Sequence, residues 1–208
     1  MQQKMEDIIG CLQQYFYLRV VMVLKDTYLV EENLQNLKSK MLKLYIKSGQ
    51  MKNSTKTTLE LLSKRIIEYI KEHLNMEKID SNFTIEEVSK IEYDNISTFI
   101  SLSGDLSGTI GLSISNNFAN LLVNSFIFGE VDEATLRELA TENVAETLNI
   151  TLGNIIKDLE EVKAGGKVDI STPYTLHNSV SITKKENGTM YLSQIKYLDE
   201  IIIVSYFI

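Results

Sequence analysis

Glu142-Asn143-Val144-Ala145-Glu146-Thr147-Leu148-Asn149-Ile150-Thr151-Leu152-Gly153-Asn154 lies inside a long helical pattern running from about Ala134 to Glu161. At about 100° per residue the stretch separates into two faces. Val144, Leu148, Ile155 and Leu159 cluster on one of them. Glu142, Glu146, Asn149 and Gly153 fall on the other within a sector of about 60°, so two carboxylates and one carboxamide project together. A mid-helix glycine costs roughly 1 kcal/mol against alanine, which marks Gly153 as a place where something needs to come close.

Spacing alone does not select this face. Glu and Asn on the outside of an amphipathic helix are ordinarily solvated surface, and Glu-x-x-Asn occurs at Glu72/Asn75, Glu92/Asn95 and Glu146/Asn149. Context has to choose among the copies. Glu72 and Asn75 lie where a helix is expected to stop, with no glycine four residues on, so that copy reads as a decoy.

The 208 residues suffice for one well-buried domain with an appendage. A net charge of −7, with the basic residues scattered, argues against a nucleic-acid binder. Cys11 is the only cysteine and His73 and His177 the only histidines, which suits a reducing compartment and leaves no plausible zinc constellation. The apolar run from Tyr15 to Leu24 is interrupted by Arg19 and is too short to cross a bilayer, and Ile201 to Ile208 is shorter still. No secretory signal pattern opens the chain, so the expectation is a cytoplasmic protein without membrane insertion.

Outward from the central helix, the chain reads as follows. Met5 to Leu24 fits a helix or a segment containing a strand, and Val30 to Lys47 carries an amphipathic helical stripe. Residues 48–54 read as a polar linker. Residues 1–50 are therefore expected to be a mainly helical extension that is separable from residues 56–208. Thr57 to Leu74 reads as a core-facing helix through Leu59, Leu62, Ile66, Ile70 and Leu74, with Ser54 or Thr55 as its N-cap. Strand patterns cover Thr84 to Tyr93, Ile96 to Ser103 and Thr109 to Ser115. Asn117 to Phe128 reads as a helix capped by Gly129. Beyond Ala164-Gly165-Gly166, further strands are expected at Val168 to Ile170, Val180 to Thr183, Met190 to Lys196 and Glu200 to Phe207, with Asn187-Gly188 as a hairpin signal. The fold class is mixed α/β (α+β): an antiparallel sheet of about six strands with the long helix packed on it.

Two blocks together resemble the CheX branch of the CheC/CheX/FliY family of bacterial chemotaxis phosphatases. The first, Leu102 to Ser113, is similar to the family's glycine-bounded hairpin. The second, Glu146 to Asn154, is similar to its Glu-x-x-Asn helix with Gly-Asn four residues on. The order of elements from Thr57 to Phe207 also agrees, so the resemblance leaves residues 1–50 outside. This chain departs in having Glu142 where the family usually has Asp or Ser, and Pro173 sits one residue late.

The resemblance implies dephosphorylation of a phosphorylated CheY-like response regulator in chemotaxis or two-component signalling. Asn149 would orient the attacking water and Glu146 would contact the regulator's lysine, with Glu142, Gly153 and Asn154 in the partner-binding surface. No cofactor of the chain's own is implied, because the regulator would hold the Mg²⁺. A homodimer formed through sheet edges is also implied, and the apolar strand Glu200 to Ile208 would be a liability if left uncovered. Two other readings stand beside the enzyme: a non-catalytic binding module related to FliM that docks a regulator or flagellar switch component, and a domain that only assembles with its own kind through residues 1–50. Phosphate release from a phosphorylated regulator separates all three.

Overall fold

The computed structural model describes residues 29–74, 82–127, 131–186 and 188–208, and the chain divides into two compact units, Met1–Gln50 and Met51–Ile208. Met5 to Leu24, Asn75, Gly129 and Asn187 lie outside the described residues. Helix α1 spans Leu29–Leu74. It runs through residues 48–54, where a linker was expected, because helix propensity is a weak prior that tertiary packing overrides. Ser54 is accordingly no cap. It is buried in the second unit and its hydroxyl donates to the carboxylate of Glu161. Thr55 is fully buried beside it.

Among the described residues of the second unit the strands are β1 (Phe83–Glu87), β2 (Lys90–Tyr93), β3 (Ile96–Gly104), β4 (Gly108–Ile114), β5 (Val168–Ile170), β6 (Tyr174–Leu176), β7 (Val180–Thr183), β8 (Met190–Tyr197) and β9 (Glu200–Phe207). Seven form one antiparallel sheet in the order β1-β8-β9-β4-β3-β5, with β6 also on β3. The other two, β2 and β7, pair only with each other. The single strand expected from Thr84 to Tyr93 is thus two, in different sheets. No hairpin joins β7 to β8, since both sides of β8 are taken by β1 and β9. Strand β9 lies inside the sheet between β8 and β4, so this apolar strand is paired on both edges and is not an edge through which a dimer could form.

Alternation sorts each strand between two cores. Ile96, Ile100 and Leu102 of β3, Ile110, Leu112 and Ile114 of β4, and Ile202, Val204 and Tyr206 of β9 join the helix-covered core. Phe99 points the other way, into a smaller cluster with Ile91, Tyr93 and Met190 beneath the β2–β7 ribbon. Gly111 makes room for that ring, since a Cβ there would lie 2.9 Å from it. The turn between β3 and β4 needs glycine at both ends: Gly104 has φ +101° and Gly108 φ +145°.

Three helices supply the main core's other wall. Leu59, Leu62, Ile66 and Ile70 of α1 are buried in the expected stripe, and Ser63 hydrogen-bonds Ser193 of β8 at 2.7 Å. Helix α2 (Asn116–Asn124) starts at Ser115, whose side chain accepts from the Phe118 amide, and ends at Ser125 rather than at Gly129. Helix α3 (Glu133–Ile155) is capped by Asp132. It stops short of Glu161: Ile156–Asp158 is a 3₁₀ turn, Leu159 is extended, and a new helix α4 (Glu160–Lys163) begins with two acidic residues that suit a helix N-terminus. Leu159 is still buried.

Leu148 is fully buried, so Leu148→Ala is expected to cost about 2–5 kcal/mol in urea unfolding. A second expectation concerns alkali. Burial pushes the Tyr93 phenol up to about 12, against a bond to Ser205 that lowers it, and Tyr206 is raised too. A raised folded value means that the stabilisation from keeping these phenols neutral is present below the ordinary tyrosine range near about pH 10 and is lost as pH climbs through the folded value. Unfolding free energy should therefore fall above about pH 10, less steeply in Tyr93→Phe.

Candidate functional site

Helix α3 presents the site because its opposite side is anchored. Ala140, Val144, Thr147, Leu148, Thr151, Leu152 and Ile155 are buried, and Thr151 donates back to the Thr147 carbonyl at 2.6 Å. With that side held, Glu142, Glu146, Gly153 and Asn154 are exposed and Asn149 is half-buried. Asn149 Nδ2 donates to Glu146 Oε2 at 3.3 Å. The two groups that the spacing singled out are thus neighbours on a rigid element. The carboxamide keeps its oxygen free of that bond.

Gly153 sits one turn further on. A Cβ built there meets nothing within 4 Å, so the chain itself does not demand glycine at this position. The open space lies outside the helix. It leaves a bare stretch of backbone surface beside Asn149.

The other two copies of the spacing resolve differently. Glu92 is on β2 in an ion pair with Lys90 at 2.7 Å, while Asn95 occupies a turn with φ +66°, so they share no helix face. Glu72 is on α1, 3.6 Å from Arg65.

Helix α1 adds a residue that the sequence reading missed. Tyr69 is almost fully buried against α3, where it hydrogen-bonds Thr147, the neighbour of Glu146. Burial pushes its phenol up, the Thr147 bond opposes this, and the Glu146 carboxylate adds to the rise. Tyr69 stacks on His73 with ring centroids 4.0 Å apart, and His73 lies 5.2 Å from Phe126 just past α2. Tyr69 continues the apolar stripe of α1, but its meeting with α3 is a tertiary contact that no local pattern announces.

The site's chemistry is that of an acid paired with an amide. Among the described residues, no group of three or more His, Cys, Asp or Glu side chains could hold a metal, and no helix is long and apolar enough to cross a membrane. A carboxamide orients a hydrogen-bonding reactant; it does not abstract protons. A carboxylate on a solvent-facing helix attracts a cation.

The family model described as "Chemotaxis phosphatase CheX" matches residues 96–195, which run from β3 through the site helix into β8. No curated protein matches the chain. Solved structures do. A CheC-like superfamily protein from Shewanella sp. PV-4 is 17% identical with a TM-score of 0.56, covering 73% of this chain and 97% of that one. A structure of a CheX–CheY–BeF₃–Mg²⁺ complex from Borrelia burgdorferi matches at 19% identity and a TM-score of 0.55, with 71% and 94% covered. The chemotaxis protein CheX from Vibrio vulnificus matches at 16% and 0.56, with 73% and 99% covered. At these identities the structures establish a common fold, and the family model ties that fold to sequence. Both comparisons converge on one group: residues 96–195 match the chemotaxis phosphatase CheX family model, and the fold is the one found in CheX- and CheC-like proteins.

Proposed function

We propose that the chain hydrolyses the aspartyl phosphate of a CheY-like response regulator. The observation that carries this reading is the pair Glu146 and Asn149, held 3.3 Å apart on the outward face of a helix whose inner face is buried. The position of that helix inside the segment matched by the CheX family model supports it, as does the likeness to a CheX solved with CheY.

Such a reaction asks little of the phosphatase. The regulator brings the acyl phosphate, a lysine and a Mg²⁺ of its own, so the second protein has only to place a water in line with the scissile P–O bond. Asn149 supplies that placement through its amide. Attack forms the new P–O bond as the P–O bond to the aspartate breaks, the carboxylate leaves, the water's proton passes to solvent, and inorganic phosphate is released. Glu146 engages the regulator's lysine and sets the register of the inserted helix, with Glu142 and Asn154 on the same contact surface. Gly153 lets the regulator's backbone approach.

Asn149→Ala should change unfolding free energy by no more than about 0.5 kcal/mol. Single-turnover dephosphorylation should nonetheless fall roughly 100-fold, more through turnover than through binding. Glu146→Ala should mainly weaken engagement of the phosphorylated regulator, while Glu72→Ala on α1 leaves the rate unchanged. Full activity in Asn149→Ala would remove the mechanism, and a FliM-like docking role would appear as tight binding without phosphate release in the parent protein.

Gly153→Ala separates fold from function in the opposite direction. With open space around the new methyl, it should stabilise the helix by about 0.5–1 kcal/mol while weakening regulator binding. Unchanged affinity in this variant would show that nothing approaches the helix there.

A further inference from the structure

Beside Glu146 the helices leave a groove of about 310 Å³, lined by Tyr69, Val123, Phe126, Ile127, Leu139 and Glu146, with Glu142 and Asn143 completing it. Its walls come from α1, the C-terminal end of α2 and α3. Tyr69 and Val123 are buried, whereas Phe126 is 44% exposed despite its size. Along α3, Leu139, Asn143, Glu146 and Ile150 follow one another at steps of four, three and four residues, so the groove's α3 wall continues as one stripe to Ile150, itself 37% exposed. The groove and the Glu146–Asn149 pair therefore share a border.

We infer that this groove is the second half of the regulator-docking surface, taking an apolar side chain that stands next to a basic residue on the regulator. The inference rests on the phosphatase reading above and assigns its partner contact. Charge complementarity names the occupant. Glu142 and Glu146 rim the groove, and among the described residues neither forms an ion pair. Two unneutralised carboxylates beside an apolar trough favour a partner that brings a cation and a hydrophobe together. The lysine expected to meet Glu146 supplies the cation, and the groove one helical step away receives its apolar neighbour. Phe126 is the anchor: it is a large, half-exposed aromatic lining a small trough, and aromatic side chains buried on binding carry much of the energy of such an interface.

The test uses the full chain and CheY-type receiver domains from the same organism, activated with beryllofluoride for binding and phosphorylated with acetyl phosphate for turnover. Phe126→Ala should raise the dissociation constant about tenfold and leave single-turnover kcat within about twofold, with Phe126→Leu recovering most of the affinity. Phe126→Lys should weaken binding further by repelling the partner's cation. Leu198→Ala, at a residue 70% exposed at the β8–β9 turn, should change nothing. Thermal melting of each variant confirms that it is folded before binding is read. Normal affinity in folded Phe126→Ala and Phe126→Lys, with the parent active, overturns the groove assignment and leaves the phosphatase reading standing. A parent protein that neither binds nor dephosphorylates any receiver overturns both. A change in self-association without a change in receiver affinity would give the groove to a second copy of the chain and also overturn the assignment.

Discussion

The packing of α3 onto the helix-covered face of the sheet is the constraint from which the rest follows. Val144, Leu148 and Leu152 are completely buried and Ile155 nearly so. Burying side chains of this size stabilises by about 1.5–3 kcal/mol each, so their sum holds the helix in one rotational phase. A helix turned by a single residue would swing about 100° and carry Asn149 out of register with any partner. The site's geometry is thus a consequence of the core, and Glu146 and Asn149 need no network of their own to be positioned.

The opposite face of the sheet answers a different demand. Phe99, Met190, Tyr93 and Ile91 form a second small core beneath the β2–β7 ribbon, and the Tyr93 hydroxyl meets Ser205 at 2.6 Å. Strands β3, β4 and β9 are consequently buried on both faces near their middles, which makes the sheet a firm platform for α3. Rigidity below and exposure above are what the proposed orienting role requires, since catalysis by placement is sensitive to displacements of about 1 Å.

Features repeated at a local period were legible in the sequence. The α3 face, the α1 stripe and the strands at β3, β4, β8 and β9 rest on residues at 3.6- or 2-residue spacing, and the structure places them accordingly. What stayed hidden was set by partners distant in sequence. The alternation across residues 84–93 is the same whether those residues form one strand or two, and only pairing with β8 and β7 divides it. Strand β6 has three residues and forms because β3 offers a free edge. The polar stretch 48–54 became helical although its composition suggested a linker, with the burial of Ser54 and Thr55 outweighing it. The shared outward face of Glu146, Asn149 and Gly153 could be read from the helical period, whereas Tyr69 and the groove beside it arise from the meeting of three helices.

The most direct test of the central claim is a crystal structure of this chain bound to a beryllofluoride-activated receiver domain, in which the fluoride group stands in for the phosphoryl group. The account expects the exposed face of α3 to enter the receiver's active site, with the Asn149 amide within hydrogen-bonding distance of the beryllofluoride or of a water in line with it, and Glu146 against the receiver's lysine. A complex in which α3 faces solvent and another surface of the chain holds the receiver would contradict it.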